Sequence, residues 1–231
     1  MKIALIGYGN MGKMVEKMAL NRGHTIISRI DNPDWKVEEL HDADMCIEFT
    51  HPESIIENVK KIAKSKKNVV IGTTGWLDKK DLIEQIVQDN QIGALYSPNF
   101  SIGVNLLLEM LSHAAKIMNA FEEYDVAGVE YHHNRKKDSP SGTAMAIAKT
   151  IENSMDRVDQ VPFSSVRCGS FPGTHTVYFD SPCDTIAIGH EARNREGFAK
   201  GAVHAAEWLE GKKGLFTFAD CMQEIIQRST K

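Results

Sequence analysis

Short apolar runs alternate with longer amphipathic stretches through the first hundred residues. The apolar runs predict buried strands at residues 2–6, 24–30, 44–49, 68–71 and 92–96, and the amphipathic stretches predict helices at 11–22, 52–65 and 77–90. Parallel strands that are buried on both faces give continuous apolar runs. Strands that alternate with helices form a parallel sheet covered on both sides. The pattern therefore predicts a doubly wound α/β domain at the N-terminus.

The hydrophobic pattern changes in the second half of the chain. It predicts a helix at 103–119 with its methionines in the core, then a strand at 124–129, a helix at 143–151 and strands at 163–168, 174–179 and 185–190. A helix that ends at Leu209 and a helical segment at 215–228 follow, and the latter is expected to return to the first domain. Successive strands predict a smaller α+β domain with an open mixed sheet. We assign residues 1–103 and 194–231 to the first domain and 104–193 to the second.

Composition excludes several classes of protein. The chain has 231 residues, a net charge of −4 and a pI of about 6.1, which argues against binding nucleic acid through bulk positive charge. No apolar run reaches the length of a membrane span, and no signal peptide is recognisable. The four cysteines are scattered without a CxxC pair, so we expect reduced thiols and no metal site. These features predict a cytoplasmic protein without a membrane or nucleic-acid partner.

A glycine-rich loop follows the first strand directly. Gly7, Gly9 and Gly12 have the GxGxxG spacing between a strand and a helix, which is typical of a Rossmann-type dinucleotide site. Asp31 ends the second predicted strand, 19 residues after Gly12, where an acid binds the ribose 2′-OH of NAD and repels the 2′-phosphate of NADP. Arg29 is close enough in sequence to weaken that repulsion. The alternatives are a glycine turn without a ligand and an aspartate that merely caps a turn.

Other candidate cofactor residues lie in the same loop or at the ends of later strands. Ligands of doubly wound sheets bind at the carboxyl ends of the strands. The full set predicted to contact the cofactor is Gly7, Tyr8, Gly9, Asn10, Met11, Gly12, Asp31, Gly72, Thr73, Thr74, Ser97, Pro98, Asn99 and Phe100. A plain strand-to-helix turn is the alternative for each later loop taken alone.

The most distinctive stretch is residues 130–144, which reads EYHHNRKKDSPSGTA. It places His132, His133 and Lys136 before a Pro-Ser-Gly-Thr sequence that is typical of a helix start, where Ser or Thr caps exposed amides and Pro fits the first turn. Backbone amides at a helix N-terminus, here those of Gly142 and Thr143, bind anions. Acid/base groups, fixed positive charge and these amides suit a small carboxylate substrate. The alternative is a solvated basic turn before an ordinary helix.

This stretch resembles the signature of the dihydrodipicolinate reductase family. The resemblance covers nearly the whole chain and includes the N-terminal glycine loop. The segments that carry it are His132-His133, Lys136, Asp138, Pro140-Ser141-Gly142-Thr143-Ala144, Gly72-Thr73-Thr74-Gly75, Asn99 to Asn105, Arg195 and Phe198-Ala199-Lys200-Gly201-Ala202.

The resemblance implies an activity and a set of roles. Members of the family use NADH or NADPH to reduce a cyclic dicarboxylate to tetrahydrodipicolinate, in the diaminopimelate route to lysine. By residue matching, His132 corresponds to the proton donor or acceptor and Lys136 to a proton-donating lysine. His133, Gly142 and Thr143 correspond to substrate-binding positions. The resemblance also implies a dinucleotide-binding first domain, a second domain for substrate binding and oligomerisation, and a homotetramer.

The chain departs from the family pattern in its phosphate loop and in its second domain. Asn10 replaces an arginine in a loop that is one residue shorter, which leaves the choice between NADH and NADPH open. The stretch after Asp31 is also short, and Thr174 replaces a glutamate. Two other functions remain possible: a different two-domain dehydrogenase of a small carboxylate, or a dinucleotide sensor without catalysis. The His-His-x-x-Lys sequence favours the reductase over both.

Overall fold

The computed structural model describes residues 1–229 and contains ten strands and seven α-helices within them. The strands are β1 (Lys2–Ile6), β2 (Thr25–Ile30), β3 (Met45–Glu48), β4 (Asn68–Ile71), β5 (Gly93–Tyr96), β6 (Asp125–His132), β7 (Phe163–Arg167), β8 (Thr174–Asp180), β9 (Thr185–Glu191) and β10 (Gly214–Thr217). The helices are α1 (Asn10–Asn21), α2 (Ile55–Lys64), α3 (Lys80–Asn90), α4 (Ile102–Met118), α5 (Gly142–Glu152), α6 (Glu196–Leu209) and α7 (Phe218–Ser229). The chain divides into one unit of Met1–Ile102 with the residues from Glu196 onward, and a second of Gly103–Arg195.

The first unit is built on a six-stranded parallel sheet with the order β10-β5-β4-β3-β1-β2. Alternate residues of each central strand enter different cores. Ile3 and Leu5 pack with α1 and α6 on one face, while Ala4 and Ile6 pack with α2 and α3 on the other. Burial on both faces explains why these strands appear in the sequence as continuous apolar runs. The prediction of a doubly wound Rossmann-type sheet is confirmed.

The prediction for residues 215–228 is wrong at its start. Residues 214–217 form β10, which pairs in parallel with β5 at the edge of the sheet, and the helix begins only at Phe218. The strand is short and its residues are only partly buried, so it lacks the fully apolar run of the central strands. Helical periodicity in α7 extended the sequence prediction across it. The segment belongs to the first unit.

The second unit contains a four-stranded mixed sheet with the order β7-β6-β8-β9. Strands β6 and β7 are parallel, whereas β6, β8 and β9 are antiparallel, which confirms the predicted open mixed sheet. One face is buried by α4 and α5 through Leu107, Leu111, Ile147 and Ile151. The prediction that the methionines of α4 lie in the core is wrong for Met110, which is 53% exposed.

Candidate active site

The register of the second sheet collects polar side chains on its buried face. Strand β6 continues to His132, three residues beyond the predicted strand end, so Glu130 and His132 lie on a strand and not in a loop. Both are buried, because alternate residues of β6 face the helices. Glu130 is paired with Ser165 of β7 and with His175 of β8, and His132 is paired with Arg167 of β7. Neighbouring positions on three strands thus bring five polar side chains together.

Glu130 is a fully buried carboxylate at the centre of this group. Its Oε1 accepts hydrogen bonds from the backbone N–H of Ser141 at 2.9 Å, from Ser165 Oγ at 2.7 Å and from Arg167 Nη2 at 2.9 Å. Burial by itself raises the pKa of a carboxyl group, but these three donors outweigh it and lower the pKa of Glu130 to about 2. Glu130 is therefore negatively charged at every physiological pH.

His132 lies against this carboxylate. Its Nδ1 is 3.3 Å from Glu130 Oε2, and only 7% of the residue is exposed. Burial lowers the pKa of His132, the Glu130 carboxylate opposes that shift, and the positive charges of Lys136 and Arg167 add to it. The other ring nitrogen, Nε2, is close to Gly173, where an added Cβ would approach it to 3.1 Å. His132 is therefore mostly uncharged at neutral pH.

His175 completes the buried group from the β8 side. Its Nε2 is 3.4 Å from Glu130 Oε2, and its ring centroid is 5.1 Å from that of His132. Burial and the neighbouring His132 lower the pKa of His175 to about 4. One donor atom from each of Glu130, His132 and His175 lies within 4.8 Å of the others, which is a set that could hold a metal ion. The absence of a metal stays a prediction.

Ser141 connects this group to helix α5. It is the N-cap, as the sequence predicted for Ser or Thr: its Oγ accepts a hydrogen bond from the Ala144 N–H at 3.1 Å. The same Oγ is 3.2 Å from His175 Nε2. Pro140 precedes the cap and does not lie in the first turn. The capped helix therefore begins at Gly142, directly beside the buried carboxylate.

Lys136 lies in the loop between β6 and α5 and is paired with Asp138. Its Nζ is 2.9 Å from Asp138 Oδ1. The pKa of Asp138 is lowered first by this lysine and further by backbone amides, including that of Gly142. Arg167 Nη2 also donates to the backbone carbonyl of Asp138 at 2.7 Å, which fixes the loop. The Asp138 carboxylate thus contacts both the Lys136 ammonium group and the backbone amide at the N-terminus of α5.

The predicted substrate residues lie around the same helix end. Gly142 is exposed, while His133 and Thr143 are half-buried. The His133 N–H donates to the carbonyl of Phe171 at 2.9 Å, which anchors the loop after β6. His132 contacts Glu130, which accepts a hydrogen bond from Ser141, the residue before Gly142. Lys136 reaches the same helix start through Asp138.

In the first unit, the glycine loop has the geometry of a dinucleotide cradle. Gly7 has φ +89°, and a Cβ there would lie 2.1 Å from the Phe49 carbonyl oxygen; a Cβ at Gly12 would lie 2.3 Å from the Gly7 carbonyl oxygen. A Cβ at Gly9, by contrast, would meet no described atom within 4 Å. Gly9 is the N-cap of α1, and within residues 1–229 no side chain caps it. Open space and helix amides at this point suit a pyrophosphate.

Asp31 is held at this loop. Its Oδ1 accepts a hydrogen bond from the Tyr8 N–H at 3.1 Å. Asn10 is the first residue of α1, with Met11 half-buried behind it. The carboxylate therefore lies beside the predicted pyrophosphate site, and its contact with the ribose stays a prediction.

The later loops of the first unit line a cavity of about 40 Å³. Its lining consists of Thr73, Thr74, Gly75, Trp76, Leu77, Tyr96, Ser97 and Pro98. The loops are fixed from within: Thr73 Oγ1 accepts from the Thr50 N–H at 2.7 Å, and Ser97 Oγ donates to the Asn99 carbonyl at 2.8 Å. The Phe100 ring packs in the core against Phe218, so it is available to a cofactor mainly through its backbone. Gly72 has no room for a side chain, because a Cβ there would lie 2.1 Å from the Phe49 ring.

Sequence reasoning missed the supporting residues of the site, namely Glu130, Ser165, Arg167 and His175. Glu130 lies inside the distinctive stretch, but the sequence pattern predicts a strand that ends at residue 129 and therefore assigns the glutamate to a loop. The useful signal was the alternation of β6, in which every even residue from Val126 to His132 is buried. A glutamate on that face requires partners from neighbouring strands. Their identity depends on β-register, which the sequence did not provide.

Comparison with known proteins gives a consistent result. The family model for the dihydrodipicolinate reductase N-terminus matches residues 1–100, and the model for its C-terminus matches residues 103–222. The 4-hydroxy-tetrahydrodipicolinate reductase of Christiangramia forsetii is 39% identical over 239 residues, covering 98% of this chain and 100% of its own. That of Thermosipho africanus is 36% identical over 229 residues, with 98% and 100% coverage. A solved dihydrodipicolinate reductase from Paenisporosarcina sp. TG-14, with dipicolinate bound, has a TM-score of 0.82 at 22% identity, covering 95% of this chain and 99% of its own.

Proposed function

This chain belongs to the dihydrodipicolinate reductase family, and on that premise we propose that His132 and Lys136 carry out the reduction of 4-hydroxy-tetrahydrodipicolinate to tetrahydrodipicolinate. The reaction uses NADH or NADPH and is a step of lysine and diaminopimelate biosynthesis. The observation that carries the proposed roles is the buried Glu130 carboxylate, which contacts His132 directly and fixes the helix start beside Lys136. The two domains take the roles given above, cofactor binding for the first and substrate binding for the second.

The residues of the glycine loop fit the dinucleotide. Gly9 leaves open space at the N-terminus of α1, and Asp31 is hydrogen-bonded to the same loop. Bound NADH or NADPH supplies a hydride to the conjugated ring of the substrate. The remaining cofactor residues are those of the loops after β1, β4 and β5, given above. No metal is required for the proposed chemistry.

Lys136 acts as the electrostatic group. Loss of water from the 4-hydroxy ring gives a conjugated C=C–C=N unit. Hydride addition to that unit places negative charge on the ring and its carboxylate, and a nearby ammonium group stabilises that charge. Gly142 and Thr143 supply helix N-terminal amides for a substrate carboxylate, and His133 adds a polar contact. Before substrate binds, the Asp138 carboxylate contacts both Lys136 and the Gly142 amide. When substrate binds, its carboxylate displaces that of Asp138 from these two groups.

His132 delivers the proton that follows the hydride. Its pKa is lowered by burial, so it is mostly uncharged before the substrate binds. An anionic dicarboxylate raises the pKa of a neighbouring imidazole, and the Glu130 carboxylate at 3.3 Å stabilises the imidazolium that forms. His132 then protonates the reduced ring and returns to its uncharged form.

A coupled assay tests the proposed activity. The substrate is made in situ by the preceding synthase from pyruvate and aspartate semialdehyde, and oxidation of NADH or NADPH is followed at 340 nm. We expect synthase-dependent turnover that pyridine-2,6-dicarboxylate, a planar dicarboxylate mimic, suppresses competitively with substrate. Nucleotide binding without turnover would refute the activity and favour the dinucleotide sensor.

We also propose a homotetramer that forms through the open face of the second sheet. The face opposite Glu130 exposes Tyr131, Val166 and Tyr178, each 37% or 38% exposed. Apolar residues clustered on one sheet face favour association between copies. Light scattering of the intact chain and of a Tyr178→Glu variant tests this: a monomeric wild type would refute it.

The proposed location is the cytoplasm. The four cysteines are unpaired, as expected for a reducing compartment. Within residues 1–229, the helices are too short or too polar to cross a membrane. Fractionation of cells that express the tagged chain tests the location.

A further inference from the structure

A carboxylate on helix α1 engages Arg29, which lies on β2 two residues before Asp31. Arg29 Nε donates to Glu16 Oε1 at 3.0 Å, and Arg29 Nη2 contacts the same oxygen. The Tyr8 hydroxyl donates to the other oxygen, Glu16 Oε2. Glu16 therefore uses both of its oxygens to join the glycine loop to the end of β2.

This arrangement decides how Arg29 is presented. Its guanidinium carbon is 6.0 Å from the centroid of the Tyr8 ring. Tyr8 also donates its backbone N–H to Asp31, so Arg29 and Asp31 both lie near this residue. An unpaired arginine at this corner would be a strong ligand for a phosphate monoester, because its donors form a fork that matches phosphate oxygens. In this structure the Nε and Nη2 donors of Arg29 are already engaged by Glu16, and the carboxylate offsets the positive charge of the guanidinium.

We propose that Glu16 is a specificity-determining residue, which directs Arg29 away from the 2′-phosphate of NADPH and so makes this chain prefer NADH. The inference rests on the proposed function, since it concerns the cofactor of that reaction. Discrimination needs an element that disfavours the wrong ligand as well as one that favours the right ligand. Asp31 repels the 2′-phosphate of NADPH and hydrogen-bonds the 2′-OH of NADH. Glu16 binds Arg29, so the arginine does not offset that repulsion.

Lys13 is the other cation at this corner, with its Nζ 5.9 Å from the Tyr8 ring centroid. It lies on the first turns of α1, close to the predicted pyrophosphate site, and both cofactors carry that pyrophosphate. Lys13 therefore contributes equally to NADH and NADPH and does not set the ratio between them.

The experiment is a double-mutant cycle on cofactor preference. kcat/KM for NADH and for NADPH is measured with the coupled assay for wild type, Glu16→Ala, Arg29→Ala and the double variant. We expect wild type to prefer NADH and Glu16→Ala to shift the ratio toward NADPH at least about tenfold, since one decade corresponds to about 1.4 kcal/mol, within the range of hydrogen bonds to a charged group. Arg29→Ala should keep the wild-type ratio within twofold, and the double variant should return to it.

Three results would overturn the inference: a wild type that prefers NADPH, a Glu16→Ala ratio within twofold of wild type, or a shift that persists in the double variant. Glu57→Ala is the matched control, because Glu57 is an exposed carboxylate paired with Lys60 on α2 of the same unit. An equal shift in that control would show a general charge effect and would also overturn it.

Fluorescence titration of NADH and NADPH with each variant gives the same ratio without any turnover. If wild type binds nucleotide but reduces no substrate, the proposed function fails while the cycle still tests Glu16. Glu16→Gln, which keeps the shape and removes the charge, repeats the test should the alanine variant fold poorly, and a smaller shift in the same direction is expected.

Discussion

Replacing Glu130 by Gln removes the charge at the centre of the site while keeping its shape. Glu130 has a pKa of about 2 against an ordinary value of 4.5, which at 1.36 kcal/mol per pH unit corresponds to roughly 3 kcal/mol of stability at neutral pH. The loss leaves Arg167 without its carboxylate, and breaking a buried ion pair by removing one partner costs about 3–5 kcal/mol. We expect the free energy of unfolding to fall by about 3 kcal/mol at pH 7.5.

The same substitution also changes the pKa of His132. The carboxylate is 3.3 Å from Nδ1, which corresponds to roughly 5 kcal/mol of attraction for the imidazolium at an effective dielectric constant of about 20. Without it the pKa of His132 falls further, and a smaller fraction of the residue can carry the proton at a given pH. We expect the alkaline limb of the kcat/KM profile to move to lower pH by at least about one unit, with turnover at pH 7.5 reduced at least tenfold.

Urea denaturation gives the stability, and the coupled assay between pH 5.5 and 9 gives the profile. Glu152→Gln is the matched control, since it removes one carboxylate from the same unit, whose Oε1 accepts a hydrogen bond from the Val161 N–H at 3.1 Å. A Glu130→Gln variant with both quantities close to those of the control would refute the role given to Glu130. A loss of stability without a shift of the profile would refute its electrostatic action on His132.

Three further predictions concern other residues of the site. Lys136→Ala should lower kcat about 10²- to 10³-fold and leave the Kd of NADH unchanged in fluorescence titration, because it removes a charge that stabilises the transition state; a larger loss of cofactor affinity than of kcat would contradict this role. Asp138→Asn should tighten binding of pyridine-2,6-dicarboxylate about two- to fivefold in calorimetry, since it removes an exposed ion pair that competes for Lys136 and the Gly142 amide; weaker binding would show that Asp138 positions the lysine instead. His175 binds fewer protons in the folded than in the unfolded protein between pH 6.5 and about 4, so stability falls as the pH drops through that window, by up to about 3 kcal/mol from this group. The slope of unfolding free energy against pH should be shallower in His175→Asn, and equal slopes would exclude this contribution.

Strong periodicity made most of the fold predictable. The central strands of the first unit are buried on both faces, so burial alone produces their apolar runs, and β1 and β4 were placed with their observed bounds. The edge strand β10 was missed because its partly buried residues carry no such signal and its hydrogen bonds depend on β5, more than a hundred residues away. Long-range pairing of this kind leaves little trace in local sequence.

The candidate site shows the same division. The Ser141 cap was predictable because capping is local chemistry between residues three positions apart. The environment of His132 was not, since it depends on Arg167 and His175, which reach it from β7 and β8 through strand register. The side chains that form this environment therefore lie on strands whose pairing the sequence does not predict.

The most direct test of the central claim is the turnover of a His132→Gln/Lys136→Ala double variant at saturating NADH. We predict a loss of at least about 10³-fold in kcat, with the Kd of NADH within twofold of wild type, because both groups act on the substrate in the second unit and the cofactor residues lie in the first. Turnover within tenfold of wild type would contradict the account, since the reduction would then proceed without the two groups assigned to it.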